Sequence, residues 1–173
     1  QGLTLSAFDQ KIYMSNHGAK GGDWFGQVKF GENYGWKILG WGGKNYSGTE
    51  IGPKWKPGFT KAIYYWVPSI ATSAIAIYKG EEFKEWNGHA LVTSLRNQSL
   101  RKLIFKDVNE VKEDTIFKDK KVKHAVGIEQ HIGDLSDCDR YALVVFDDCL
   151  CNVTWFCDTT LLPDWNFKTT DIW

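Results

Sequence analysis

Between clusters of Gly, Asn, Asp and Pro the chain carries short apolar runs of roughly four to eight residues, the length and spacing of β-strands. They lie at 1–5 (QGLTL), 11–14 (KIYM), 25–30 (FGQVKF), 62–67 (AIYYWV), 74–78 (AIAIY), 90–94 (ALVTS), 100–105 (LRKLIF), 141–146 (YALVVF) and 153–157 (VTWFC). Runs 90–94 and 100–105 are expected to pair as a hairpin across 95–98. No long stripe of period 3.6 is present, so helix is limited to single turns, expected at 83–86 and at 107–113. Residues 40–59 (GWGGKNYSGTEIGPKWKPGF) read as a long loop rich in Gly, Lys and Trp. Loops of that length in a compact domain are functional or disordered. Strands at this spacing point to an all-β fold: a sandwich, a barrel or a propeller.

The densest turns fall in residues 15–36 (SNHGAKGGDWFGQVKFGENYGW). Every Gly gives up backbone freedom on folding, so such density persists where backbone must approach a ligand or ion, or take a positive φ. The 173 residues suit one domain with a sizeable core. Nine Trp and 15% aromatic content fit an all-β protein, and most of these rings are expected in the core. Basic and acidic residues balance at 21 each, which points away from nucleic acid and anionic membranes as partners. No apolar run approaches the length of a membrane span. The first residues lack a basic segment followed by an apolar one, so no signal peptide is expected. The start inside a strand-like run fits a processed or truncated product. Cys138, Cys149, Cys151 and Cys157 lie in the last third and lack a Cys-x-x-Cys knuckle. Two disulfides or buried free thiols are therefore expected rather than zinc. Asn45, Asn97 and Asn152 head Asn-x-Ser/Thr sequons, which matter only in a eukaryotic secretory context.

Several segments, in order, resemble the soluble pyrroloquinoline-quinone (PQQ) dependent aldose sugar dehydrogenases of the glucose/sorbosone type. Residues 17–23 (HGAKGGD) resemble the family's HGP-x-GGDE turn, and 31–36 (GENYGW) its G-x-NYGWP turn. Residues 66–80 (WVPSIATSAIAIYKG) resemble W-x-PSIAPSG-x-x-x-Y-x-G, and 83–95 (FKEWNGHALVTSL) resemble F-P-x-W-x-G-x-L-F-V-G-A-L. Residues 113–118 (EDTIFK) are similar to the acidic stretch that follows. The resemblance covers residues 10–118. Residues 119–173 diverge and hold the Cys cluster. It implies a six-bladed β-propeller of four-stranded antiparallel sheets. At roughly 40–45 residues per blade, this chain would supply about four blades, as the C-terminal part of such an enzyme and as a single domain.

The resemblance further implies oxidation of an aldose at C1 with hydride transfer to PQQ held by calcium. The alternative is a non-catalytic carbohydrate-binding β-protein on the same scaffold. A third reading, a secreted disulfide-stabilised β-barrel, rests on the Cys cluster and sequons alone. Gly18 and Ala19 match the turn whose backbone carbonyls bind calcium in the family, and Ala19 replaces a Pro without loss of the carbonyl. Arg96 stands at a cofactor-binding Lys, and Lys121 and Lys123 stand at a cofactor-binding Arg pair. Tyr64, Tyr65, Trp66 and Ser69 occupy the segment that flanks the quinone. Trp24 replaces the second acid of the Gly-Gly-Asp-Glu turn that Asp23 begins, which puts a second, structural calcium in doubt. The family's catalytic His comes from a region with no counterpart here, so no catalytic residue is assigned, and His17, His89, His124 and His131 are not given that role. The implied partners are a sugar and an electron acceptor, with a homo-oligomer or a complementing N-terminal segment. The implied location is periplasmic or secreted.

Overall fold

The computed structural model describes residues 1–80, 83–96, 99–107, 110–118, 125–131, 140–147, 150–156 and 168–171, with side chains through Thr115. Three four-stranded meanders follow one another. The first joins Gly2–Leu5 (β1), Ile12–Asn16 (β2), Asp23–Gln27 (β3) and Tyr64–Trp66 (β4). The second joins Thr72–Ile77 (β5), Ala90–Ser94 (β6), Ser99–Asp107 (β7) and Glu110–Lys118 (β8). The third joins Ala125–His131 (β9), Arg140–Asp147 (β10), Leu150–Phe156 (β11) and Lys168–Asp171 (β12). Every neighbouring pair is antiparallel. Strand β5 packs beside both β1 and β9, so the first strands of successive sheets stand side by side. That is the packing of propeller blades around an axis. Among the described residues no helix is long and apolar enough to cross a membrane.

The main core fills the space between the first two sheets. Alternation puts Tyr13 and Phe25 on the inner face of the first sheet. They stack at 5.6 Å between centroids and meet Phe105 of β7 at 5.8 and 6.1 Å. Ile75, Ile77, Ala90, Val92 and Leu103 supply the facing side. Full burial of a Phe or Leu of this kind contributes about 2–3 kcal/mol, so this interface fixes how the two sheets sit together. The other face of the first sheet pairs Leu3 with Met14 and Leu5 with Ile12. Leu3, Leu5 and Ile12 are exposed there.

Residues 28–63 leave the sheet after β3 and return only at β4. This excursion contains the expected 40–59 loop and is ordered by an isolated bridge between Lys44 and Glu50. It lays Leu39, Trp41 and Ala62 against Trp24 as a second apolar cluster. Its length explains why the described residues form three sheets where counting residues suggested about four: one blade has absorbed nearly a blade's worth of loop. The turn expected at 83–86 is a 3₁₀ turn at Lys84–Trp86. The turn expected at 107–113 is instead a β-hairpin, with β7 running to Asp107 and β8 starting at Glu110. Cross-strand charge pairs favour that pairing, among them Lys102 with Asp114 at 4.0 Å and Lys106 with Glu110 at 3.3 Å.

Candidate functional site

In a meander of antiparallel strands, every second connection falls at the same end of the sheet. The turn after β2, the segment after β4 and the turn after β6 therefore share one end, and Asp23 ties the first two together. It opens β3 and is fully buried. Its Oδ1 accepts from the Gly18 N–H at 2.7 Å and the Ser69 hydroxyl at 2.6 Å. Its Oδ2 accepts from the N–H groups of Ile70 at 3.0 Å, Ala71 at 2.7 Å and Thr72 at 3.3 Å. A buried carboxylate needs its lone pairs filled, and five donors from two segments do that. The third connection is held from the other side. The Leu95 N–H donates to the Ala71 carbonyl at 2.9 Å and the Arg96 N–H to the Ile70 carbonyl at 3.1 Å. Nη1 of Arg96 donates to the Ser69 carbonyl at 3.1 Å.

Glycine is required in the first turn. A Cβ on Gly18 would sit 2.0 Å from the Gly21 carbonyl oxygen. Gly22 has φ +82°, and a Cβ there would lie 2.2 Å from the Gly40 carbonyl oxygen. The Gly22 N–H also donates to the Trp66 carbonyl at 2.8 Å. His17 Nε2 bonds the Thr72 carbonyl, so this ring acts as a brace within the cluster.

Of the residues singled out by sequence, Gly18, Ala19, Ser69 and Arg96 come together at this end. The carbonyls of Gly18 and Ala19 accept no hydrogen bond among the described residues, and Thr72 Oγ1 is buried without a partner. Two successive free carbonyls suit a hard cation such as calcium, which takes oxygen ligands. The described residues hold no cluster of three or more His, Cys, Asp and Glu able to bind a metal. Any ion here would complete its shell from a ligand's own oxygens and water. Arg96 offers a guanidinium suited to a carboxylate.

The β4 aromatics divide between two faces. Tyr64 and Trp66 point into the gap between the first and second sheets. There the Tyr64 hydroxyl donates to Glu113 Oε2 at 3.1 Å and the Trp66 indole to Oε1 at 2.8 Å. Arg101 pairs with the same carboxylate. Burial, reinforced by the Glu113 charge, pushes the Tyr64 phenol up to about 12, so it stays protonated as a donor. Trp66 is 4% exposed, and its ring is committed to the core. Tyr65 faces the other way, 6.2 Å from Trp41. Lys121, Lys123, Cys138, Cys149, Cys157 and Asn97 lie outside the described residues. Cys151 and Asn152 lie on β11. The Asn45 amide is folded into its own turn by donating to Thr49 Oγ1 and the Glu50 carbonyl.

Two residues organise the site without having been singled out for that role. Asp23 was legible as an acid after a double glycine, but four of its five partners lie more than forty residues away. Glu113 carried no local signal beyond an acidic stretch. Beside the Gly18–Ala19 turn, under the excursion, opens a cleft of about 850 Å³ whose walls include Asn16, Trp24, Tyr34, Trp36, Lys37 and Tyr46.

Known proteins share this architecture. Residues 1–129 match the family model described as glucose/sorbosone dehydrogenase. The aldose sugar dehydrogenase YliI of Escherichia coli K12 is 31% identical over 104 residues, covering 58% of this chain and 28% of that protein. A glucose dehydrogenase crystal structure superposes with a TM-score of 0.73 at 27% identity, over 84% of this chain and 41% of its own. The PQQ-bound form of an aldose sugar dehydrogenase from Streptomyces coelicolor gives 0.59 at 22% identity, over 83% of this chain and 36% of its own. The chain thus spans well under half the length of the relatives it matches. The meander blades, the Asp23-bound turn and the match across three quarters of the sequence agree: the chain belongs to the glucose/sorbosone dehydrogenase family.

Proposed function

We propose that this chain is the C-terminal part of a PQQ- and calcium-dependent aldose dehydrogenase, and that the end built on Asp23 cradles the cofactor. The reading is supported by the hydrogen-bonded frame that links the Gly18 turn through Asp23 and Ser69 to Arg96, with the Gly18 and Ala19 carbonyls accepting no hydrogen bond among the described residues. Bound there, PQQ would supply the acceptor for the hydride leaving the sugar C1. The Gly18 and Ala19 carbonyls would hold the calcium, and Arg96 would hold a cofactor carboxylate, with Lys121 and Lys123 as further cations. Asp23 keeps the turn and the Ser69–Thr72 segment in register, and Glu113 fixes the β4 strand beside them. Ser69 acts through its carbonyl, which orients Arg96, because its hydroxyl is spent on Asp23. Tyr64, a protonated phenol held by Glu113, stiffens the β4 strand together with Tyr65 and Trp66. The base that takes the C1 hydroxyl proton would come from a complementing N-terminal segment. Such an enzyme passes its electrons to an external acceptor, and we place it in the periplasm or outside the cell, where calcium is available.

The second reading, a carbohydrate-binding protein without the chemistry, is favoured by the exposed rings of Trp36 and Tyr46. Equilibrium dialysis with PQQ and calcium, followed by a dye-linked aldose oxidation assay, separates the two. Retention of PQQ by the chain, weakened at least about tenfold (~1.4 kcal/mol) in Arg96→Ala, supports the cradle. Sugar binding with no PQQ retention supports the second reading and overturns the first.

A further inference from the structure

The cleft under the 28–63 excursion has a chemistry of its own. Its floor is Trp24, stacked on Tyr34 at 4.9 Å and 9°. Its rim carries Trp36 and Tyr46, 87% and 75% exposed. Two large rings held in water on an ordered segment mark an interaction site, because burial elsewhere would stabilise them more. Lys37, also on the lining, has no ion pair among the described residues. It sits at φ 72°, and Trp41 at φ 47°. Left-handed backbone at non-Gly residues persists only where the surroundings over-determine it, commonly at binding sites. Within a chain of zero net charge, residues 28–63 carry six Lys against two Glu. The lining also holds Glu32, which accepts from the Thr60 hydroxyl and keeps its charge, so the excess of Lys comes from the excursion as a whole.

We propose that this cleft binds an acidic oligosaccharide. A pyranose has a flat C–H face that rests on an aromatic ring, and a rim of hydroxyls that the Asn16 and Asn33 amides can meet. An acid group on the sugar would sit beside Lys37, in the positive field of the excursion. The volume lies within the range of small-ligand sites, roughly 300–1,000 Å³. Because the cleft abuts the Gly18–Ala19 turn, a chain seated in it lies next to the proposed cofactor cradle. In that respect alone the inference rests on the proposed function, since binding needs neither quinone nor calcium.

The test is a calorimetric titration of the 173-residue chain with trigalacturonate and with maltotriose, without PQQ or calcium. The expected result is saturable binding of trigalacturonate, at least about tenfold tighter than maltotriose and weakening as salt rises. Trp36→Ala with Tyr46→Ala should weaken binding roughly tenfold or more. Both side chains are exposed, so the melting temperature should hold, and that measurement shows that the variant still folds. Lys37→Gln should erase most of the preference for the acidic trimer. Equal affinity for the two trimers would overturn the assignment of an acidic ligand. No saturable binding, or binding undiminished in the aromatic variant, would overturn the site itself. Loss of PQQ retention in the dialysis experiment would leave this result untouched, so the two proposals fail separately.

Discussion

Replacing Asp23 by Asn tests whether one carboxylate holds the turn after β2 and the segment after β4 together. The amide keeps the size of the side chain but offers one acceptor oxygen and two donors in place of two acceptor oxygens. In the better orientation its oxygen takes the Oδ2 position and keeps the N–H groups of Ile70, Ala71 and Thr72. The Ser69 hydroxyl can turn and accept from the amide. The Gly18 N–H then faces an NH₂ group and loses its acceptor. An unsatisfied buried donor costs about 1–3 kcal/mol, and hydrogen bonds to a charged acceptor are the stronger kind, at about 1.5–3 kcal/mol each. Neutralising the carboxylate weakens all that survive, so a total near ~3 kcal/mol is expected. At about 2–4 °C per kcal/mol for a domain of this size, the melting temperature should fall by roughly 6–12 °C. Urea unfolding followed by Trp fluorescence should show a lower midpoint with an unchanged slope. Asp114→Asn, on the more exposed side of the Lys102 pair, should stay within ~0.5 kcal/mol. A stability for Asp23→Asn within that same margin would refute the reasoning, because the five donors would then have found other partners.

Glu113→Gln should destabilise by about 1–3 kcal/mol, since it removes the charge that Arg101, Tyr64 and Trp66 share; Tyr64→Phe should cost less, and a reversed order in urea melts would contradict the network. Gly22→Ala should cost more than about 2 kcal/mol, because φ +82° and the Gly40 carbonyl both oppose a Cβ; a melting temperature within a degree or so of wild type would count against the turn geometry. His89 accepts the Phe105 N–H at Nδ1, and burial followed by the Lys102 charge hold its pKa below 6.5. A depressed His pKa means that the unfolded chain binds the proton first, so its contribution is full above pH 6.5 and declines as pH falls below it. Urea midpoints at pH 8 and 5.5 should therefore differ more for wild type than for His89→Asn, and equal differences would remove His89 from the account.

Much of the fold was legible because strands advertise themselves by period. The runs at 90–94 and 100–105 fall within β6 and β7, and their hairpin forms as the turn residues imply. The 107–113 segment misled because its charges suit a helix as well as a cross-strand ladder, and only the β7–β8 register shows that they pair across strands. Strands β9 and β12 carried too little apolar alternation to stand out. Residue counting suggested about four blades and the described residues form three sheets, because counting cannot tell a blade from the 28–63 excursion. For the candidate site, the turn glycines stood out by their density, and Arg96 was singled out only through the family resemblance. The roles of Asp23 and Glu113 were not, because both arise from partners brought near only by sheet packing. The same limit applies to β4. Three adjacent aromatics look like one platform in the sequence, yet the two-residue period sends Tyr65 away from Tyr64 and Trp66.

The most direct test of the central claim is an absorbance titration of the purified chain with PQQ, run with calcium and with the ion chelated. If Gly18, Ala19 and Arg96 form the cradle, a saturable 1:1 spectral change appears with calcium, vanishes on chelation, and weakens in Arg96→Ala. A spectral change independent of calcium, or none in either condition, would contradict the account.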